Sequence, residues 1–515
     1  LIFQQPTVHP SSLIQLPAPQ YGQNPLLVRS HGIRYLITGN TLLEPDVITN
    51  IINTSRTPKE ALRRLITAYR ERGYFLVVAR AKVDHNDVHI YVVQGQIIQK
   101  DVSSDLAPFY AGLEGQDLTA SQMIRRNILA DAYSSRNGMQ MNVGFSPSSN
   151  PGGTKLSVQQ RPNPNFYPLN GSVTFGNYGS RYTSSYISGL NLSLQPGHGI
   201  LLSGGFNYGI SGLSEKSKGS TYYNGTLGFS VITPWGIYGA SQQWTHYRLG
   251  EVTAPYYFTG NVAITSLTGS QLLFANTTNR ISVNEAYTFS DYKETVLDGL
   301  YTLSDQNYQY YTFGANVNHQ YQLFQRAGNL ALAATINHGV SGYHGSFIDS
   351  LGAPSPKFTY LTLQINAMQS LPLGFSLQGS ASGQWSNQTM PANNQYVVGG
   401  FGNLSAYTPG VIQGDSGYAG RISVQAPSVR LGKFTATGSL FGEDVAVTDH
   451  YLSPGQRPWK SLSDIGLGVT LSSPWGTSIN AMTAIPVGHN GFSSSELAAV
   501  RNSRIDAYFL FTQTF

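Results

Sequence analysis

From about residue 168 to its end the chain alternates apolar and polar residues with a period of two. Leu190, Leu192 and Leu194 alternate with Asn191, Ser193 and Gln195, and Leu227, Phe229 and Val231 alternate with Thr226, Gly228 and Ser230. Leu361, Leu363, Ile365 and Ala367 do the same with Thr362, Gln364 and Asn366, while Ile479, Met482 and Ile485 flank a similar segment. Successive strand side chains point to opposite faces, so each segment has one apolar and one polar face. Soluble sandwiches share that period. The medium is indicated by the polar face, which is Asn, Gln, Ser and Thr rather than Lys and Glu, by Tyr and Trp near the strand ends, and by strand and turn units that continue to the end without a helix. These features favour lipid, where a sheet must close on itself to satisfy its edges. Sixteen strands would share this region at about 22 residues each, enough for about 10 membrane residues plus alternating short turns and long loops.

The connections alternate as a barrel requires. Gln195-Pro196-Gly197-His198-Gly199, Thr233-Pro234-Trp235-Gly236 and Pro474-Trp475-Gly476 read as tight turns, and residues 209–222 and 443–461 as long polar loops. Counting hairpins places the tight turns and the chain end on one side, so the strand number is even. The last strand is expected at Arg504 to Phe515, with Phe509, Phe511 and the terminal Phe515 in the pattern of a bacterial barrel-assembly signal.

Charge sharpens the division. Lys and Arg number 31 and Asp and Glu 26 in 515 residues, 11% of the chain against about 25% in an average soluble protein. The first 160 residues are the richer part. A net charge of +5 without a basic tail gives no reason to expect nucleic acid. No apolar run is long enough for a spanning helix. The absence of Cys excludes disulfides, thiolate metal sites and Cys nucleophiles. The 11 His are dispersed, so no metal site and no cofactor is expected. Gly414-Asp415-Ser416-Gly417 is similar to a serine-protease nucleophile loop, but Tyr418 follows and no partner His segment precedes it; an enzyme is not expected.

Residues 1–26, with five Pro, read as an extended linker. Residues 27–98 read as a compact β-α-α-β-β module. Ile33 to Thr38 is a strand ended by Gly39-Asn40, and Pro45 to Asn53 a short helix. The next helix has Thr57 as N-cap, Pro58 at its first position, Glu60 completing a capping box and Gly73 as its stop. Tyr74 to Val83 and Val88 to Val93 are strands. Residues 99–164 repeat the order more weakly, with a strand opening at Ile97-Ile98, a helix from Leu118 to Tyr133, and strands at Met139 to Phe145 and Lys155 to Gln159 around Asn150-Pro151-Gly152-Gly153.

In this arrangement the chain resembles the TpsB transporters of two-partner secretion, the ShlB/FhaC/HecB type, whose modules are called POTRA domains and which are related to the BamA-type insertases. Ile37-Thr38-Gly39-Asn40-Thr41, Tyr69 to Tyr74, Val93-Gln94-Gly95, Asn177 to Thr183, Gly399-Gly400, Gly414-Asp415-Ser416-Gly417, Ile465-Gly466-Leu467-Gly468 and Ala484-Ile485-Pro486 carry the resemblance. It implies a mainly β protein, a 16-stranded antiparallel transmembrane β-barrel over residues 165–515 preceded by two POTRA modules, 27–98 and 99–164. It also implies a loop, about 387–415, folded into the lumen. The family's loop tip carries an arginine. Here the matching Leu404-Ser405-Ala406-Tyr407 lacks it, and the family's facing Asp pattern is matched by Phe441-Gly442-Glu443-Asp444. Both partners having changed, the loop, with Gly414 and Asp415 at its border, is expected to be held by neutral hydrogen bonds around Ser405 and Tyr407. Many members carry an amino-terminal plug helix, which residues 1–26 do not resemble.

The function so implied is export of an unfolded partner protein across the bacterial outer membrane without nucleotide. The modules would lie in the periplasm and recognise the passenger through Arg63, Arg70, Tyr74, Phe75, Val77 and Arg80. The implied partners are a TpsA-like secreted passenger encoded nearby, periplasmic chaperones and the barrel-assembly machinery during biogenesis, and the lipid bilayer, with the transporter acting as a monomer. A BamA-like assembly factor and, more remotely, a passive porin are the alternatives.

Overall fold

The computed structural model describes residues 25–148, 153–344, 354–450 and 458–515. They form two compact units, one reaching to Phe166 and one beginning at Tyr167. The Pro-rich segment to residue 24 and the turn expected at Asn150-Pro151-Gly152 lie outside the described residues.

The first unit contains two sheets. The earlier one runs β1 (Leu26–Ser30), β2 (Ile33–Thr38), α1 (Pro45–Thr54), α2 (Pro58–Glu71), β3 (Val77–Asp84) and β4 (Asp87–Gln94). The β-α-α-β-β order of residues 33–94 is present, with one more strand in front of it. β1 pairs antiparallel with β2 through the two-residue turn His31-Gly32, both at positive φ, 51° and 77°. That is the backbone of a primed hairpin turn, and it moves Leu26 from the expected linker into the sheet. The strand order is β1-β2-β4-β3, with β2 parallel to β4. Ile37, Ile48, Ile52, Leu65, Tyr69, Val88 and Ile90 are fully buried between helices and sheet. At the start of α2 the Thr57 hydroxyl accepts the Glu60 N–H, but the Glu60 carboxylate reaches Arg56 N at 3.0 Å rather than the N-cap, so the capping box is half made. β3 begins at Val77, three residues later than expected, because Tyr74 to Leu76 are spent on the turn after Gly73.

The second sheet uses β5 (Gln96–Val102), α3 (Ala120–Arg136), β6 (Met139–Pro147) and β7 (Gly153–Pro162) in the order β5-β7-β6. A single 3-10 turn, Ala107–Tyr110, stands where a first helix was expected; Pro108, Gly112 and Gly115 leave no uninterrupted stretch for an α-helix. α3 carries the complete capping box, Thr119 with Gln122.

The second unit is a closed antiparallel barrel. Its walls are β8 (Leu169–Gly176), β9 (Ile187–Gly197), β10 (Ile200–Gly209), β11 (Thr221–Ile232), β12 (Ile237–Arg248), β13 (Thr259–Ala275), β14 (Asn279–Val296), β15 (Tyr301–Leu323), β16 (Arg326–His344), β17 (Thr359–Ser370) and β18 (Ser376–Ser386). After a small ribbon of β19 (Tyr396–Val398) and β20 (Ile412–Gly414), the wall resumes with β21 (Ser416–Gln425), β22 (Val429–Leu431), β23 (Phe434–Thr448), β24 (Lys460–Ser472), β25 (Thr477–Asn490) and β26 (Tyr508–Thr514). β21 and β22 both pair with β23 and make one interrupted strand, so the wall has 16 strands. No helix among the described residues is long and apolar enough to cross a membrane; the crossing is made by strands whose outer residues, such as Leu190, Leu192, Leu361, Leu363, Ile465 and Leu467, are exposed apolar side chains.

Three expectations change. The barrel region does contain a helix, α4 (Ser494–Asn502), started by a capping box of Ser493 and Glu496. The last strand begins at Tyr508 rather than Arg504, because residues 503–505 are engaged elsewhere. The loop expected at 443–461 is shorter, since β23 runs to Thr448.

Candidate functional site

The segment between β18 and β21, residues 387–415, turns back onto the inner face of the wall. Val398, Leu404, Ala406 and Tyr407 pack against Phe441, Val445, Val447, Leu462 and Ala484, whose strand neighbours Leu440 and Ile465 point outward. The β19–β20 ribbon carries a tight tip with Gly399, Gly400, Gly402 and Gly410 at positive φ. Leu404 is there too, at φ 76° and fully buried; a left-handed Leu persists only where packing holds it.

Two carboxylates hold the tip. Ser405 N donates to Glu443 Oε2 at 2.5 Å and Ala406 N to Asp464 Oδ2 at 2.7 Å. Glu443 and Asp464 are direct partners across β23 and β24. Asp464 faces inward in step with Leu462 on the same strand; the register shift beside it falls in β25, where Val487 is the extra residue. Glu443 also pairs with Arg421 of β21, whose guanidinium lies 3.9 Å from the Phe441 ring centroid. The Phe441 ring covers Gly466 so closely that an added Cβ would lie 2.4 Å from it, which gives the Ile465-Gly466-Leu467-Gly468 motif a packing reason. The expectation of neutral bonds is therefore corrected at Ser405, whose N–H makes a charge-assisted bond, roughly twice as strong as a neutral one, to the Glu443 carboxylate that Arg421 pairs with. The tip lacks an arginine, but a guanidinium reaches the same carboxylate from the neighbouring strand.

The other side of the tip meets the connection between β25 and β26. Thr408 N donates to Ser503 O at 2.8 Å and Ile505 N to Ala406 O at 3.1 Å, with Tyr407 and Arg504 paired as in an antiparallel bridge. The buried Tyr508 hydroxyl, at the start of β26, donates to Tyr407 O at 2.8 Å. Asp415, buried at the loop border, accepts from Met390 N and His450 N, both at 2.8 Å, and so ties the loop to the β23–β24 connection. Gly414 pairs with Tyr396 in the ribbon. Asp444 does not join the site: it lies on the outer face, exposed, and accepts from Tyr418 Oη at 2.9 Å.

The barrel closes between β26 and β8. Five pairs run from Leu510 opposite Gly176 to Thr514 opposite Ser172. Phe515 exchanges backbone bonds with Gly171, Phe511 faces Phe175, and Phe509 packs on Phe175 at 5.7 Å. Above the last pair Asn177 continues the seam with its side chain, donating to Ala507 O at 2.9 Å and accepting from Phe509 N at 2.8 Å. The Asn177 to Thr183 motif thus stands at the far end of the first barrel strand, not where the chain enters the barrel. Its Arg181 forms a buried two-armed pair with Glu251 at 2.8 and 2.9 Å.

In the first unit β3 is an edge strand. Arg63, Arg70 and Arg80 are exposed and Tyr74 is half-buried. Val77 belongs to the core, and Phe75 is spent on Phe145 of the second sheet, ring centroids 5.3 Å apart; neither is open to a partner. Among the described residues no group of His, Asp or Glu is placed to hold a metal ion.

Sequence reasoning missed Arg421, Asp464 and Tyr508, and named Asn177 only as part of a motif, without its role at the seam. For the first two a signal existed: they are charged residues at inward-facing positions of strands otherwise almost free of charge. Tyr508 acts across 101 residues and leaves no local mark, and the seam role of Asn177 spans 330.

Solved structures share this fold. CdiB from Escherichia coli superposes with a TM-score of 0.75 at 16% identity over 98% of this chain and 94% of its own. CdiB from Acinetobacter baumannii does so with 0.69 at 12% identity over 99% and 94%. No curated protein sequence matches. Residues 152–445, more than half of the chain, match the haemolysin secretion/activation proteins ShlB/FhaC/HecB, and the chain belongs to that family of outer-membrane protein translocators.

Proposed function

We propose that the chain exports one unfolded secreted partner, which it selects in the periplasm with its amino-terminal modules and passes through the barrel without nucleotide. The observation that carries this reading is a closed barrel whose interior is occupied by its own hairpin loop, tied by a few hydrogen bonds rather than built into the wall. A passage closed by a removable segment suits intermittent transit of a chain better than steady diffusion of solutes. The open edge of β3, flanked by Arg63, Arg70 and Arg80, suits capture of an extended segment by strand addition. Directionality comes from folding of the passenger outside, which prevents its return. The passenger is a TpsA-like protein.

Deleting residues 27–98 is expected to abolish export while the barrel still inserts, measured as passenger in the medium against heat-modifiable barrel in the membrane. Normal export from that deletion would remove the role given to the first module. An assembly-factor role would instead appear as faster insertion of other barrels into vesicles containing the purified protein.

A further inference from the structure

Five bonds that hold the loop tip share one property: they address the peptide backbone. Over residues 405–408, Ser405 N and Ala406 N go to Glu443 and Asp464, Ala406 O takes Ile505 N, Tyr407 O takes Tyr508 Oη, and Thr408 N goes to Ser503 O. Neither the hydroxyl of Ser405 nor the methyl of Ala406 enters any of them; the Ser405 Oγ only accepts from Gly402 N within the tip. Receptor groups that bind main-chain N–H and C=O in both directions will accept any segment that can present the same groups, with side chains limited by the pocket. That pocket is apolar and tight at Leu404 and Ala406, which are 0% and 1% exposed.

We propose that this wall is a binding site for a peptide turn, in which two successive N–H groups point the same way as those of Ser405 and Ala406 do beside the Tyr407 N to Leu404 O bond, and that the loop tip is its resident occupant. Resting on the translocator reading above, the ligand class is a passenger segment able to form the same turn, with small or apolar residues at the positions of Leu404 and Ala406. Such a segment takes over the carboxylates of Glu443 and Asp464, the backbone of Ser503 to Ile505 and the Tyr508 hydroxyl as the tip leaves. Transit and opening are then one exchange: the passenger replaces the bonds that its entry breaks, and no buried carboxylate is left without donors.

The test uses planar bilayers and no passenger. In one variant residues 401–409 are excised, joining Gly400 to Gly410, with heat-modifiable mobility reporting that the barrel is folded. The probe is an acetylated, amidated peptide with the sequence of Gly402 to Pro409, and its control is the same peptide N-methylated at the positions of Ser405 and Ala406. The excised variant is expected to show saturable block by the probe. Half-block by the methylated control should need about tenfold more peptide or greater, as loss of the charge-assisted Ser405 bond implies. The intact chain, with its tip in place, should likewise need about tenfold more probe. Equal potency of the two peptides, or equal potency on excised and intact chains, would overturn the site. If the excised variant does not fold, Ala406→Pro in the full chain serves, since it removes the N–H given to Asp464; probe potency on it must then exceed that on the intact chain, and equality again overturns the site. The assay contains no passenger and asks nothing of the modules, so its failure leaves export untouched, whereas failed export with intact peptide block strikes the export reading alone.

Discussion

Replacing Glu443 by Gln separates what holds the loop from what holds the wall. The Glu443 side chain is 1% exposed. One oxygen accepts Ser405 N and the other faces Arg421. Glutamine offers one carbonyl oxygen, so one of the two donors must meet an NH2 group. The Arg421 contact exists whether the tip is in or out and cancels from that equilibrium. Of the contacts Glu443 makes, only the Ser405 bond is lost on withdrawal, and a hydrogen bond to a charged group contributes about 1.5–3 kcal/mol. E443Q should therefore move the ratio of withdrawn to seated tips by about ten- to hundredfold. In single-channel recordings this is a matching rise in the fraction of time spent in the open level. Arg421→Met is the counterpart: it strips the buried carboxylate of its ion, costing the barrel about 3–5 kcal/mol, read as a lower unfolding temperature. An open fraction for E443Q within about twofold of the unaltered chain, with the barrel folded, would refute the assignment of this bond to gating.

Further outcomes follow from other contacts. Asn177→Ala removes both side-chain bonds across the seam and should lower barrel stability by about 1–3 kcal/mol, seen as loss of heat resistance on gels, while Asn177→Asp keeps only the acceptor and should fall between. Asp415→Ala leaves Met390 N and His450 N without their acceptor and should expose the 387–415 loop to protease from outside. The Lys460 ammonium, aided by Ser493 N–H, holds the Glu496 carboxyl down to about 2 from its ordinary value of 4.5. A lowered carboxyl stabilises the folded form above its ordinary value and loses that contribution as pH falls towards the lowered one. Protection of residues 494–502 against hydrogen exchange, taken relative to the intrinsic rate at each pH, should accordingly fall between about pH 4.5 and pH 2, and Lys460→Met should show the lower protection already at neutral pH.

Much of this architecture is legible in the sequence because a barrel strand writes itself as alternation. Leu190 to Gln195 and Leu361 to Ala367 signal one residue at a time which face meets lipid, and the Pro-Trp-Gly turns mark the rim. The first module is legible through Thr57, Pro58 and Gly73. The helix at 494–502 also left a local signal, Ser493 and Glu496 three apart, which is obscured by the surrounding period of two. What holds the loop tip is of another kind. Position by position, the tip has no arginine; in space, Arg421 brings the charge to Glu443 from the next strand. Asp464 lies inward by ordinary alternation, but only the pairing of β24 with β23 sets it beside Glu443, and Ser503 to Ile505 reach the tip from a hundred residues away. Such contacts belong to the closed barrel and not to any segment of it.

The strands of the wall are very unequal. β15 has 23 residues and β26 has 7, and the two stand half a circumference apart in the strand order. At about 3.3 Å per residue and a tilt of about 40°, the longer strand rises about 55–60 Å along the barrel axis, against an apolar band of about 25 Å. Its outer face shows where lipid ends: Tyr311 and Phe313 are exposed and apolar, whereas Gln309, Asn307 and Asp305 above them are polar. One side of the mouth is therefore a tall parapet and the other, at the seam, a low sill. Under the export proposed above, a polypeptide passing this mouth is screened from lipid on the β15 flank and meets its low edge at the seam, beside the segment that grips the loop tip.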